Sequence, residues 1–270
     1  MRTIKKHWAS ALIGTLVLVF LYVPIVYVFV NAFNANKNLL FWSGATFEWF
    51  KKAIASNAFW DAFFQSITIA VIVAALSTGV AVTAAVGIRE FSCRIRSIQS
   101  TAMYLRLTLP EVILVSGIMV VVQMIPGCSL GPIWVVLAQT LVYSAYALVI
   151  IQARMTTIAG LYEDAAYDLG ASTSRVLKTV ALPLLAPSVF VGALLAFTFS
   201  LDAVVSVAFL GGPDVQTLPI LIMSMIKKGV NPVVNAIGLI VTVFNLLVLA
   251  VAVKAVGIKS TVSAISGSSE

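Results

Sequence analysis

The chain has 270 residues, 61% of them hydrophobic and only 10% charged, whereas a soluble domain carries about 25% charged residues. There is too little polar side chain to cover a water-facing surface, which excludes a soluble enzyme and makes the bilayer the main solvent. The net charge of +7 is accounted for by basic residues gathering at cytoplasmic edges rather than by a nucleic-acid partner.

Runs of roughly 20 apolar residues are the spanning unit of a membrane protein, and six can be found here. Arg2, Lys5 and Lys6 precede an apolar run, Ala9 to Phe33. It is too long for a signal-peptide core and lacks a small-residue cleavage pattern. It is expected as an uncleaved first span, about Ala11 to Val30 with a kink at Pro24, behind a short N-terminus of residues 1–8. Asn31 to Asp61 is polar and aromatic, and Trp42, Trp49 and Trp60 suit the membrane interface. Within this interfacial segment, residues 34–61, Phe47 to Ala55 is expected as a short surface helix. Span two follows, about Phe63 to Ile88, rich in the small residues that let helices approach closely. Arg89, Arg94 and Arg96 mark a loop. Span three is expected from Ser100 to Ile125, containing Arg106, Pro110 and Glu111, and Pro126 to Pro132 forms a turn. Span four runs from Ile133 to Ala153, and the polar interruption 154–184 separates it from span five, about Ala186 to Leu210. An outside loop, Gly211 to Pro232, leads to span six, about Val233 to Val256. The membrane domain thus covers 9–258, and the Ser-rich tail 259–270 is expected to be disordered.

With the N-terminus inside, eleven basic residues fall on cytoplasmic segments: Arg2, Lys5, Lys6, Arg89, Arg94, Arg96, Arg154, Arg175, Lys178, Lys254 and Lys259. Five fall outside: Lys37, Lys51, Lys52, Lys227 and Lys228. The asymmetry puts both termini in the cytoplasm. Cys93 and Cys128 then lie on opposite sides of the membrane and cannot pair, and both read as packing residues.

The long polar interruption carries the chemistry. Glu163-Asp164-Ala165-Ala166-Tyr167-Asp168-Leu169-Gly170 is followed, after nine residues, by Val180-Ala181-Leu182-Pro183. The carboxylates of Glu163 and Asp164 favour a helix N-terminus. Ala165 and Ala166 let another surface approach the backbone, and Gly170 can end the helix in the left-handed conformation. A second short helix follows, and Pro183 is expected to end it and redirect the chain into span five. On these grounds alone the segment could equally be an ordinary amphipathic interfacial loop.

The segment resembles the EAA loop of ABC importer permeases, which reads Glu-Ala-Ala, three residues, Gly, nine residues, Ile-x-Leu-Pro. Asp164 stands in the Glu position and Val180 in the Ile position. Ala165, Ala166, Gly170, Leu182 and Pro183 match directly. Leu109-Pro110-Glu111-Val112, Ser200-Leu201-Asp202, Thr217-Leu218-Pro219, Ser224-Met225, Lys228 to Pro232 and Asn235-Ala236 extend the similarity to permeases of spermidine/putrescine importers, and most to their second permease subunit. The resemblance implies an all-α, six-span, type I importer architecture in the bacterial inner membrane. It implies a homologous permease partner, two ATPase subunits that hold ATP and Mg, and a periplasmic or lipid-anchored solute-binding protein. Glu163, Asp164, Ala165, Ala166, Gly170, Leu182 and Pro183 would dock the ATPase. No G-x-x-x-x-G-K-[ST] phosphate loop occurs in the chain, so no ATP hydrolysis is expected on it, and no cofactor of its own.

Charged residues inside spans are functional candidates by default. Asp202, near the middle of span five, is expected along the substrate pathway, and Glu111, beside Pro110, is expected either as a second pathway carboxylate or as a structural hydrogen-bonding group at the kink. Ser206, Tyr143 and Tyr146 are weaker candidates, as are Ser200 and Gln139. Arg106 either snorkels to the interface or pairs with an acid. One departure stands out. Polyamine permeases carry two adjacent acids in span five, and here the second is Ala203. Other solutes of this broad group, such as opines, phosphonates or ferric iron, therefore stay open. An ion-coupled secondary transporter would show broken helices matched in two halves, and a membrane-embedded enzyme or metal site would need a His–carboxylate cluster. Neither pattern is found, and His7 is the lone histidine.

Overall fold

The structure is a computed structural model that describes residues 2–37, 41–87, 93–155, 160–229 and 231–256. Among the described residues every regular element is helical, and one isolated antiparallel bridge joins Asn34 to Ala45. The helices are α1 (Arg2–Asn31), α2 (Glu48–Ile54), α3 (Asn57–Gly87), α4 (Cys93–Thr108), α5 (Glu111–Met124), α6 (Pro132–Arg154), α7 (Gly160–Asp168), α8 (Thr173–Val176), α9 (Leu182–Leu201), α10 (Val205–Leu210), α11 (Leu218–Lys227) and α12 (Pro232–Val256). Five helical stretches are long and apolar enough to cross a membrane, six if the bent pair α4–α5 is one span. The expected C-terminal tail lies outside the described residues, as do Arg89 and the side chains of Arg2 to His7 and of Cys93.

Two compact units divide the chain. One comprises Met1–Trp60 and Ile222–Phe244. Its first helix exposes apolar side chains on every side from Leu12 to Val30, the pattern of a helix immersed in lipid. Pro24 lies inside the helix. After it the chain folds into a hook held by one buried side chain. The Asn34 Oδ1 accepts the backbone N–H groups of Asn36 and Ser43, and its Nδ2 donates to the Phe41 carbonyl. Trp49 Nε1 donates to the Asn34 carbonyl at 2.7 Å. The expected surface helix is present as α2, where Glu48 pairs with Lys52. That ammonium holds the Glu48 carboxyl below the usual carboxylate range.

The other unit comprises Asp61–Leu221 and the described part of Asn245–Glu270. Its core is built on α6, which packs along α9 and touches α4, α5 and α10. Val73, Val115, Val135, Ala138, Ala196 and Leu210 centre one cluster, and Ala81, Ala85, Ala147, Ile151 and Leu185 a second. Lipid gives apolar helices no hydrophobic drive to associate, so close backbone approach and polar contacts must hold them. Gly192 supplies such an approach: a Cβ there would lie 3.2 Å from the Ala147 Cβ.

Three expectations need correcting. Span three is not one helix. Its two halves meet at 103° across Leu109–Pro110, because proline disfavours the helical conformation in the residue before it and lacks the N–H to continue the ladder. Span five begins earlier than Ala186 and does not start at a break at Pro183. Helix runs from Thr173 to Leu201 without interruption, through a π-helical turn at Leu177–Ala181. Pro183 falls in the first turn of α9 after that wider turn, where the missing N–H does least harm. Span five also ends at Leu201 rather than Leu210, so Asp202 lies at a helix break, not mid-helix, and α10 resumes at Val205. The loop after it contains α11.

Candidate functional site

Two places in the second unit gather the residues singled out above. The first is the turn after α7. Gly170 adopts φ +78°, the left-handed conformation that costs glycine least. Its N–H donates to the Tyr167 carbonyl, and the Ala171 N–H reaches back to the Ala166 carbonyl. This pair of bonds is the Schellman closure of a helix C-terminus. Ala165, Gly170, Leu182 and Pro183 are exposed and Ala166 is half-buried. Glu163 is buried, 6% exposed, and lines a cleft of about 370 Å³ with Val86, Met155, Tyr167 and Thr173. It therefore faces the protein and not the outer surface of the turn. The side chain of Asp164 lies outside the described residues.

One residue that sequence reasoning missed lies at this turn. Leu169 is 89% exposed, an apolar side chain at the tip of a polar segment. Its signal is a leucine directly before the helix-ending glycine.

The second place is a cleft of about 370 Å³ lined by Arg106, Glu111, Tyr143, Tyr146, Phe199 and Asp202, among others. These side chains arrive from four helices and the break after α9, each for a local reason. The bend at Pro110 turns α4 away from α5, so Arg106 and Glu111 face the cleft from its two arms. Tyr143 and Tyr146 sit at i, i+3 on one face of α6, and Phe199 of α9 packs on both rings, with centroids 5.8 and 5.3 Å away. Asp202 follows the last residue of α9, and its backbone N–H still bonds to the Thr198 carbonyl.

The break at 202–204 is pinned from behind. Gln139, fully buried on α6, donates through Nε2 to the Ser206 hydroxyl at 2.9 Å. Its Oε1 accepts the Ser200 hydroxyl. One amide thus ties the end of α9 to the start of α10. Ser206 is completely buried and does not line the cleft, so the structure separates it from Asp202, Glu111, Tyr143 and Tyr146, which come together. Among the described residues, no group of three His, Cys, Asp or Glu side chains could hold a metal ion.

Comparison with known proteins places these features in a family. Residues 79–254 match the family described as "Binding-protein-dependent transport system inner membrane component". The chain is 33% identical over 227 residues to the spermidine/putrescine transport system permease protein PotC of Haemophilus influenzae, covering 84% of this chain and 88% of that protein. It is 31% identical over 231 residues to the putrescine transport system permease protein PotI of Escherichia coli, covering 82% and 81%. A solved bacterial ABC transporter that imports the acidic polysaccharide alginate contains a chain of the same fold. The TM-score is 0.75 at 18% identity, over 94% of this chain and 97% of that one.

Proposed function

The chain belongs to the family of binding-protein-dependent transport system inner membrane components, and on that premise we propose that it forms half of the translocation pathway of an ATP-driven importer of polyamines. It is a membrane-spanning transport subunit and not itself an enzyme. A homologous second permease completes the pathway in the bacterial inner membrane, with both termini in the cytoplasm. Two ATPase subunits bind and hydrolyse ATP with Mg, and a solute-binding protein delivers the solute from the periplasm.

The observation that carries this reading is the continuous helix from Thr173 to Leu201. It joins the Gly170 turn at one end to Asp202 and the cleft at the other. The exposed turn is the docking element: Ala165, Ala166 and Leu169 enter a groove of the ATPase, Leu182 and Pro183 flank it, and Glu163 and Asp164 support it. Closure of the ATPase dimer on ATP moves the turn, and the helix carries that motion to the cleft. This is alternating access by a two-state rigid-body change. In the cleft, the carboxylates of Glu111 and Asp202 offset solute ammonium groups. The faces of Tyr143 and Tyr146 take up the alkyl chain and add cation–π attraction. The relatives named for spermidine and putrescine support an aliphatic amine as solute.

Copurification tests the docking assignment. Ala165→Asp introduces a charge on the exposed face of the turn and Gly170→Val a bulky side chain in a left-handed backbone. Both are expected to lose the ATPase subunits and ATP-driven putrescine uptake while the two permeases stay together. Normal ATPase recovery with normal uptake in both variants would remove the turn from coupling.

A further inference from the structure

The cleft holds a cation that a transporter of pure polycations does not need. Arg106 brings its guanidinium into the same cavity as Glu111 and Asp202, yet no ion pair joins these groups among the described residues. Nε and Nη2 of Arg106 are shielded from solvent without a hydrogen-bond partner, and so is Oε1 of Glu111. A guanidinium with two shielded nitrogens left without acceptors is costly. A polyamine makes this worse, since it brings only donors and positive charge. A solute that carries an acidic group beside its amine resolves both deficits at once. Its oxygens accept from the planar guanidinium fork, which matches carboxylate and phosphonate geometry. Its ammonium lies against Glu111, Asp202 and the tyrosine faces.

We propose that Arg106 is a specificity-determining residue that lets this pathway accept amphoteric amines, aliphatic chains with an ammonium at one end and a carboxylate or phosphonate at the other, as well as simple diamines. The proposal rests on reading the cleft as the solute pathway. Putrescine and 4-aminobutyrate make a matched pair of probes, since they share a four-carbon chain and differ in one terminal group, ammonium against carboxylate.

Binding of each labelled probe is measured on the assembled permease–ATPase complex in nanodiscs, without nucleotide or binding protein. The wild-type complex is expected to bind both probes. Arg106→Gln is expected to shift the ratio of affinities against 4-aminobutyrate by about tenfold or more, and Arg106→Lys to restore most of it. Failure of the wild type to bind 4-aminobutyrate overturns the proposal. So does an equal loss of both probes in Arg106→Gln, which would mean that Arg106 pairs with protein, such as an acid of the second permease. If Arg106→Gln fails to assemble, the wild-type binding and the Arg106→Lys ratio decide alone. Nucleotide-free binding is independent of the docking test above, so either reading can fail without the other.

Discussion

Replacing Gln139 by Leu removes a buried amide of nearly the same size and deletes both bonds that cross the break between α9 and α10. Interhelical hydrogen bonds in membrane proteins contribute about 0.6 kcal/mol on average and up to about 1.7. Two such bonds therefore give a loss between about 1 and 3 kcal/mol. The upper part of that range is the better expectation here. Ser200 is 5% exposed and Ser206 0%, so neither hydroxyl gains water when its partner is lost. At about 2–4 °C per kcal/mol for a chain of this size, a loss of about 2 kcal/mol lowers the melting temperature by about 4–8 °C. The assay is thermal unfolding of the purified complex in nanodiscs, run as a double-mutant cycle with Ser206→Ala. A coupling of about 0.5 kcal/mol or more between the two positions is expected, because the same bond is removed twice. A Gln139→Leu complex that melts with the wild type, or strictly additive single effects, would refute the clamp and return Ser206 to the list of pathway groups.

Asp202→Asn keeps the shape of the break and removes its charge, so ATP-driven putrescine uptake is expected to fall about tenfold or more with assembly intact, and unchanged uptake would take Asp202 out of the pathway. Gly192→Leu drives a side chain into Ala147 where α9 packs on α6, and overpacking there is expected to cost about 1–3 kcal/mol in thermal stability. At Gly170 a Cβ meets nothing within 4 Å but the backbone stays left-handed. Asn is therefore expected to be tolerated better than Val in both melting temperature and ATPase recovery. Because Lys52 lowers the pKa of Glu48, the pair's small contribution is present above the unfolded-state pKa of Glu48. It is lost as pH falls through the folded value, and a pH series of Lys52→Ala against wild type should lose that acid-side slope.

The spans and the turn at Gly170 were largely legible in the sequence, because long apolar runs and a glycine that ends a helix are local signals. Glu111, Tyr143, Tyr146 and Asp202 were named on residue type alone, and the fold brings all four to one cleft. What escaped was set by long-range or competing effects. Pro110 was visible, but a continuous hydropathy run hid the 103° turn it makes. Pro183 reads as a helix stop, and a π-helical turn just before it lets the helix continue, which no propensity reveals. Gln139 was noted only as one of several polar residues. Its role depends on hydroxyls 61 and 67 residues away. The Asn34 hook depends likewise on Trp49, 15 residues on.

The unbroken helix from Thr173 to Leu201 has a mechanical meaning. At 1.5 Å per residue its 29 residues make a shaft about 43 Å long, as long as the bilayer is thick. Pivoted where α9 rests on Ala147 through Gly192, nearer the Leu201 end, a tilt of roughly 10° displaces the Thr173 end by about 5 Å and the Leu201 end by about 2 Å in opposite senses. Such a step matches the hinge and shear motions of switching proteins. It requires no change in any hydrogen bond along the shaft. The shaft ends at the break beside Asp202, where Ala203 and Val204 separate it from α10. In the proposed cycle the turn at Gly170 and the cleft are the two ends of one lever, and its arm lengths, more than any single side chain, set how far the cleft opens per stroke.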